Sequence, residues 1–236
     1  MNFLAHHVLA TRFLTPINPL PMYVVGSALP DLLPLAARRL RLRPALVERQ
    51  PAPTADEEAL RAGVLVHLAT DTAFHKTAAF AEAQAEVSQI LAQTPFDGIR
   101  VRRFFVAHVL VELALDAVLL RCDTTVADDF YRAFAAADRA DVTRWTEAVV
   151  GQPLPDLHTV LTRFAESRYL RQYEQDEGVA IGLSRLCARA RQDTFKGENF
   201  ARLVAVVGQT VATCRGERIT PETARALERV PGAGSC

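Results

Sequence analysis

The sequence predicts an all-helical protein, a single-domain bundle with a metal site buried between long helices. Strand signals are nearly absent: alternating Val/Ile/Thr runs and Asn-Gly hairpin turns do not occur. Ala, Leu and Arg dominate long stretches with helical spacing. On two otherwise apolar segments, His, Asp and Glu recur every four positions.

Of 236 residues, 50% are hydrophobic, enough for one sizeable core. A domain over 1–229 and a frayed tail over 230–236 are expected. Lys plus Arg and Asp plus Glu stand at 27 each, which removes the basic bias of a dedicated nucleic-acid binder. Arg38, Arg39, Arg41 and Arg43 form a local cluster whose plain reading is a solvated helix end. Cys122, Cys187, Cys214 and Cys236 lie far apart with no Cys-x-x-Cys pair, against a thiolate zinc site or a disulfide scaffold. The N-terminus lacks a charged region and carries His6 and His7 where a signal peptide needs an apolar run. The most apolar stretch, Leu20 to Ala37, is interrupted by Pro21, Pro30, Asp31 and Pro34, so it is not expected to span a membrane. The expected location is the cytoplasm.

A first helix is expected from Asn2 to Leu14, stopped by Pro16 and Pro19, and a second element over Met22 to Ala28, broken at Pro30. Pro51 and Pro53 punctuate a polar linker. Thr54-Ala-Asp-Glu57 reads as a capping box opening a helix that runs to about Ala92. Pro95, Asp97 and Gly98 form the next break, and Arg100 to Arg121 a third long helix. Further helices are expected near Val126–Ala137, Asp141–Val150, Asp156–Tyr173 and Gly178–Ala190, with at least one more beyond.

The helix after the capping box carries His67, Asp71 and His75 at i, i+4 and i+8. Each step of four turns about 400°, so these side chains stack along nearly one line. The next long helix repeats the arrangement with His108, Glu112 and Asp116, the only ionisable side chains from Phe104 to Leu120. A helix apolar all round is a buried one. Two carboxylates and an imidazole on a buried stripe need a strong partner, because an unpaired buried charge costs several kcal/mol. A divalent cation facing a second such stripe supplies it. Interhelical His–carboxylate pairs without metal are the bland alternative.

Two further residues are candidates to complete the set. His6 is preferred over His7, which points about 100° away on the same helix. Asp31 is read equally as a ligand and as the N-cap of a helix starting at Leu32. Nitrogen and oxygen ligands without thiolate suit Zn, Mn or Fe. The spacing is not the Glu-x-x-His of di-iron bundles. Up to eight ligands exceed one tetrahedral site, so two or more ions, or one ion with a wide outer shell, are expected. Paired ions suit phosphoester hydrolysis.

The opening Met-Asn-Phe-Leu-Ala-His6, the segment Val25-Gly-Ser-Ala-Leu-Pro-Asp31, and Gly63-x-x-x-His67-x-x-x-Asp71 resemble the bacterial acyl carrier protein phosphodiesterase family. Glu112-x-x-x-Asp116, Arg168-Tyr-Leu-Arg-Gln-Tyr173 and Gly178-Val-Ala extend the likeness over residues 1–190. It implies a metal-dependent helical phosphohydrolase that removes phosphopantetheine from acyl carrier protein. That family usually has Arg where this chain has Leu68, Asp where it has His75, and Asp-His at Asp116-Ala117. The His67/Asp71/His75 stripe with His108-x-x-x-Glu112 looks more like the zinc-dependent phospholipase C group, whose multi-zinc sites cleave phosphodiesters.

The expected function is therefore phosphodiester hydrolysis with Zn or Mn. His6, Asp31, His67, Asp71, His75, His108, Glu112 and Asp116 are the candidate ligands, with a metal-bound hydroxide as nucleophile. A carboxylate left off the metal, from Asp31, Asp71 and Glu112, would serve as general base. Arg102 and Arg103 open the second ligand helix and are candidates to hold a phosphate, though a solvated turn is their plain reading. The expected substrate is a phosphopantetheinyl protein, a phospholipid or a similar phosphodiester. The rivals are a protein using metal, or only polar pairs, as a structural staple, and a metal-dependent dehydratase or oxygenase on the same frame.

Overall fold

The computed structural model describes residues 2–13 and 20–214. Pro16, Pro19 and the expected tail over 230–236 lie outside them. All regular structure among the described residues is helical. α1 spans Phe3–Val8 and continues through a π-helical turn, Leu9–Phe13; α2 is Pro21–Ala36, α3 Pro44–Arg49 and α4 Ala55–Phe74. There follow α5 (Ala78–Gln93), α6 (Arg103–Cys122), α7 (Thr125–Ala136), α8 (Arg139–Val150) and α9 (Leu157–Ser167). A 3₁₀ turn, Tyr169–Glu174, precedes α10 (Asp176–Arg189) and α11 (Gly197–Cys214). No described helix is long and apolar enough to cross a membrane.

The chain divides into two compact units. One takes Phe3–Ala73 and Thr125–Tyr169. At its centre α2 packs against α1, α7 and α9, while α8 packs on α9 and α3. Every residue from Met22 to Pro30 is buried, as expected of a helix that is apolar all round. All six residues of α1 are buried. Phe3 meets Phe130 and Phe164, with Phe134 joining the same aromatic cluster. The stripe Phe130/Phe134 follows from their spacing of four on α7.

The other unit contains Phe74–Thr124 and residues 170–214. There α6 is the central helix, packed by α5, α10 and α11. Its apolar turns, Val106, Leu110, Leu113, Ala114 and Leu120, are essentially excluded from solvent. Arg121 at its C-terminal end bonds Asp176 at 2.7 Å, anchoring the start of α10.

Three expectations are corrected. α2 does not stop at Pro30 but runs through Pro30 and Pro34, so Asp31 sits inside a helix and caps nothing. An interior proline costs about 3 kcal/mol. Leu29, Leu32 and Leu33 around it are completely buried, and each such side chain contributes about 1.5–3 kcal/mol, which outweighs the loss. Second, Pro44–Arg49, where no element is expected, is a helix with Pro44 in its first turn, where proline's missing amide costs nothing.

Third, the helix expected from Thr54 to Ala92 is two. The capping box at its start forms: the Glu57 amide donates to Thr54 Oγ1 at 3.2 Å, and the Thr54 amide to Glu57 Oε2 at 3.2 Å. At Thr77 the chain caps again. Its hydroxyl donates to Phe74 O at 2.8 Å and accepts from the Phe80 amide at 3.2 Å, which replaces the helical ladder with a local one. Thr77→Ala is expected to destabilise the protein by about 1 kcal/mol, read from the midpoint of urea unfolding. A midpoint unchanged from wild type would show that the break is held by packing alone.

Candidate functional site

The first candidate site lies in the unit built on α2. Its geometry begins with two glycines. A Cβ on Gly26 would fall on the carbonyl oxygen of Leu60, and one on Gly63 on the carbonyl oxygen of Tyr23. Backbone therefore meets backbone where α2 and α4 cross, and only glycine fits on both sides. One turn beyond Gly63 on α4 stands His67; directly after Gly26 on α2 stands Ser27. The close crossing brings His67 Nδ1 to 2.6 Å from the Ser27 carbonyl oxygen. Pro30 withholds the amide that would have bonded the Gly26 carbonyl, so the ladder of α2 is interrupted at this same turn.

From α1, His6 enters against the same face. Its ring stacks on that of His67 with centroids 3.8 Å apart and planes 21° from parallel. His6 Nδ1 lies 3.0 Å from Thr70 Oγ1. Thr70 has one hydroxyl proton, and it is directed to the His67 carbonyl at 3.0 Å. The hydroxyl thus accepts from His6 Nδ1–H. The Ser27 carbonyl likewise only accepts, so His67 Nδ1 also carries a proton. In neutral imidazoles both Nε2 atoms are then lone pairs. Burial, and next the neighbouring His67, hold the His6 pKa well below its ordinary value, which keeps that ring neutral.

Those two lone pairs face carboxylates. His67 Nε2 is 3.8 Å from Asp31 Oδ1, and His6 Nε2 is 3.8 Å from Asp71 Oδ1. That is too long for a hydrogen bond, and His6 Nε2 has no hydrogen-bond partner although fully buried. Ligand atoms about 2.0–2.2 Å from a shared cation stand roughly 3–4 Å from one another, a range that holds the 3.8 Å separation of His67 Nε2 and Asp31 Oδ1. Donor atoms of His6, Asp31 and His67 all lie within 4.8 Å of each other. The imidazoles form the floor, and the two carboxylates, 38% and 39% exposed, form a rim open to solvent.

The second candidate site lies in the unit built on α6. His75 follows the last residue of α4, so the Thr77 break takes it off the His67/Asp71 stripe. Its Nε2 is 2.9 Å from Glu112 Oε1, and His108 Nε2 is 3.3 Å from the same oxygen. The two imidazoles stack 4.8 Å apart and 9° from parallel, and the Phe80 ring meets both edge-on. Burial alone would raise the Glu112 carboxyl, but favourable charge and the hydrogen bonds of His108 and His75 hold it well below the usual carboxylate range. These atoms too lie within 4.8 Å of one another. Here, however, hydrogen bonds account for the arrangement without an ion.

The expected single constellation of eight residues is thus two clusters of three, one in each unit. Asp71 stands beside the first cluster. Asp116, expected as a ligand, is completely buried one turn beyond Glu112 and belongs to neither cluster. Two steps of four on a helix align residues along the axis but place the third member about 12 Å, over two turns, from the first, beyond the reach of a common ion. His7, next to His6, packs edge-on against Phe130 instead.

Two members of the first site were not anticipated: the Ser27 carbonyl and the Thr70 hydroxyl, which fix the tautomers. Thr70, three residues after His67, was visible in the sequence, but the crossing that makes it useful was not. Thr70→Val is expected to lower divalent-metal affinity by about 10–100-fold, as outer-shell partners of ligating histidines do. Isothermal titration with zinc measures it, and an unchanged affinity would deny Thr70 that role.

The chain was compared with family models, curated proteins and solved structures. None matches it. The reading of the site therefore rests on its own geometry.

Proposed function

We propose that the protein is a metal-dependent phosphodiester hydrolase whose metal centre is built on His6, Asp31 and His67, with Asp71 at its rim. One observation carries the reading: two buried imidazoles, each with its proton tied up at Nδ1, turn their lone pairs toward two carboxylates at distances too long for hydrogen bonds. The donor atoms of His6, Asp31 and His67, all within 4.8 Å of one another, form a set able to hold a divalent cation. Nitrogen and oxygen donors suit zinc or manganese.

A divalent ion held there would polarise a phosphoryl oxygen and acidify water. The residues do the rest. Thr70 and Ser27 lock the imidazoles as acceptors and orient them. The half-exposed rim admits substrate from solvent, in the manner of a catalytic site rather than one closed by four protein ligands. Asp71 faces His6 from that rim and is placed to accept the proton of an attacking water.

The test is hydrolysis of bis(p-nitrophenyl) phosphate by protein reconstituted with zinc or manganese. Turnover that requires the metal and disappears in Asp71→Asn with metal still bound supports the reading. Stoichiometric metal without turnover on any phosphodiester would make the site a structural staple. For the second cluster a metal-free reading is favoured by the 2.9 Å hydrogen bond between His75 and Glu112 and the 3.3 Å ion-pair contact of His108 with the same oxygen.

A further inference from the structure

An open cleft of about 550 Å³ lies at the start of α6, lined by Ser88, Arg100, Arg102, Arg103, Phe104 and Phe105. Three of its lining residues are arginines and none is acidic. All three arginines are exposed. Asp193 stands beside it, its carboxylate accepting a hydrogen bond from the backbone amide of Arg100 at 2.7 Å. α6 begins without a side-chain cap and with no acidic residue in its first turn, so its positive end is left uncompensated on the same side. Phe104 is 74% exposed, the most exposed of the large hydrophobic residues among the described residues. Next to Arg102 and Arg103 in the chain, its ring offers an apolar surface beside the charged one.

The geometry points to a phosphate-binding cleft at Arg100, Arg102 and Arg103, with Phe104 as the contact for the apolar part of the phosphate's carrier. Arginine forks match phosphate oxygens two at a time, and the Phe104 and Phe105 amides in the first turn of α6 add further donors. Phe104 lies four residues before His108, on the same stripe of α6. The ligand chemistry is a phosphate group attached to an apolar chain or ring; the phosphate itself is common to free phosphate and to a lipid headgroup. The inference concerns binding alone and does not depend on the metal centre of the other unit.

The test is isothermal titration of the full chain with two probes, inorganic phosphate and a short-chain phosphatidic acid below its micellar concentration. It is run on wild type, on Arg102→Gln/Arg103→Gln, on Phe104→Ala and on His67→Gln. The expected result is binding of both probes by wild type and at least about tenfold weaker binding of both by the double variant. Phe104→Ala should bind inorganic phosphate as wild type does, yet bind phosphatidic acid several-fold more weakly. His67→Gln should bind both normally, which separates this cleft from phosphate captured at the metal centre. Equal affinity of the double variant and wild type, absence of binding by wild type, or binding lost in folded His67→Gln overturns the proposal. If Phe104→Ala binds phosphatidic acid as wild type does, the apolar contact is refuted and the ligand is free phosphate.

Discussion

Replacing His67 is expected to abolish divalent-metal binding and, with it, the phosphodiester hydrolysis proposed for this site. The side chain is buried, takes its proton direction from Ser27, and presents Nε2 to Asp31. Loss of a ligating imidazole should weaken zinc by more than about 100-fold, since even outer-shell changes cost 10–100-fold. Truncating a buried ring also leaves a cavity worth a few kcal/mol, so His67→Ala alone confounds folding with binding. His67→Gln, closer in volume, separates the two: circular dichroism and thermal unfolding of the metal-free protein should stay near wild type while metal affinity collapses. His158→Ala, outside both clusters, should change neither. Retained zinc affinity in folded His67→Gln would place the ion elsewhere.

Gly63→Ala is the substitution expected to cost most in stability. On intrinsic propensity alone, alanine for glycine within a helix stabilises by about 1 kcal/mol. The added Cβ here falls on the Tyr23 carbonyl, and the obstruction is backbone, which cannot rotate away as a side chain does. The helices must separate, and we expect a net loss of about 2–4 kcal/mol. Because the same crossing delivers His67 to Ser27, metal affinity should fall along with stability. Gly26→Ala meets the Leu60 carbonyl from the opposite helix and should behave alike. Chemical denaturation of both variants gives the sign directly; a gain in stability would mean that the close crossing is not a constraint.

Much of this architecture was legible in the residues. The near absence of strand patterning fixed the helical class, and the Thr54–Glu57 capping box marked the start of α4. The four-residue spacing picked out His67 and Asp71 on one segment and His108 and Glu112 on the other. What was not legible depended on tertiary context. Thr77 reads as an unremarkable residue in a helix until its hydroxyl is seen bridging Phe74 and Phe80, and that one cap sends His75 to a different unit from His67. Pro30 signals a helix end by its local chemistry, and only the burial of Leu29, Leu32 and Leu33 overrides it. The reach of a stripe was overestimated for Asp116 because periodicity specifies direction around the axis and not distance along it. Gly26 and Gly63 were visible as residues, but their mutual close approach is a property of two helices at once.

The account stands on a cation at His6, Asp31 and His67. The most direct measurement is elemental analysis by plasma mass spectrometry of tag-free protein purified without added metal or chelator, beside a His6→Ala/His67→Ala double variant. At least one equivalent of zinc or manganese in the wild type, absent from the variant, is the predicted result. A folded wild type that carries no metal and takes up neither ion when supplied would contradict it, and the two imidazoles would then be neutral core residues facing a polar rim.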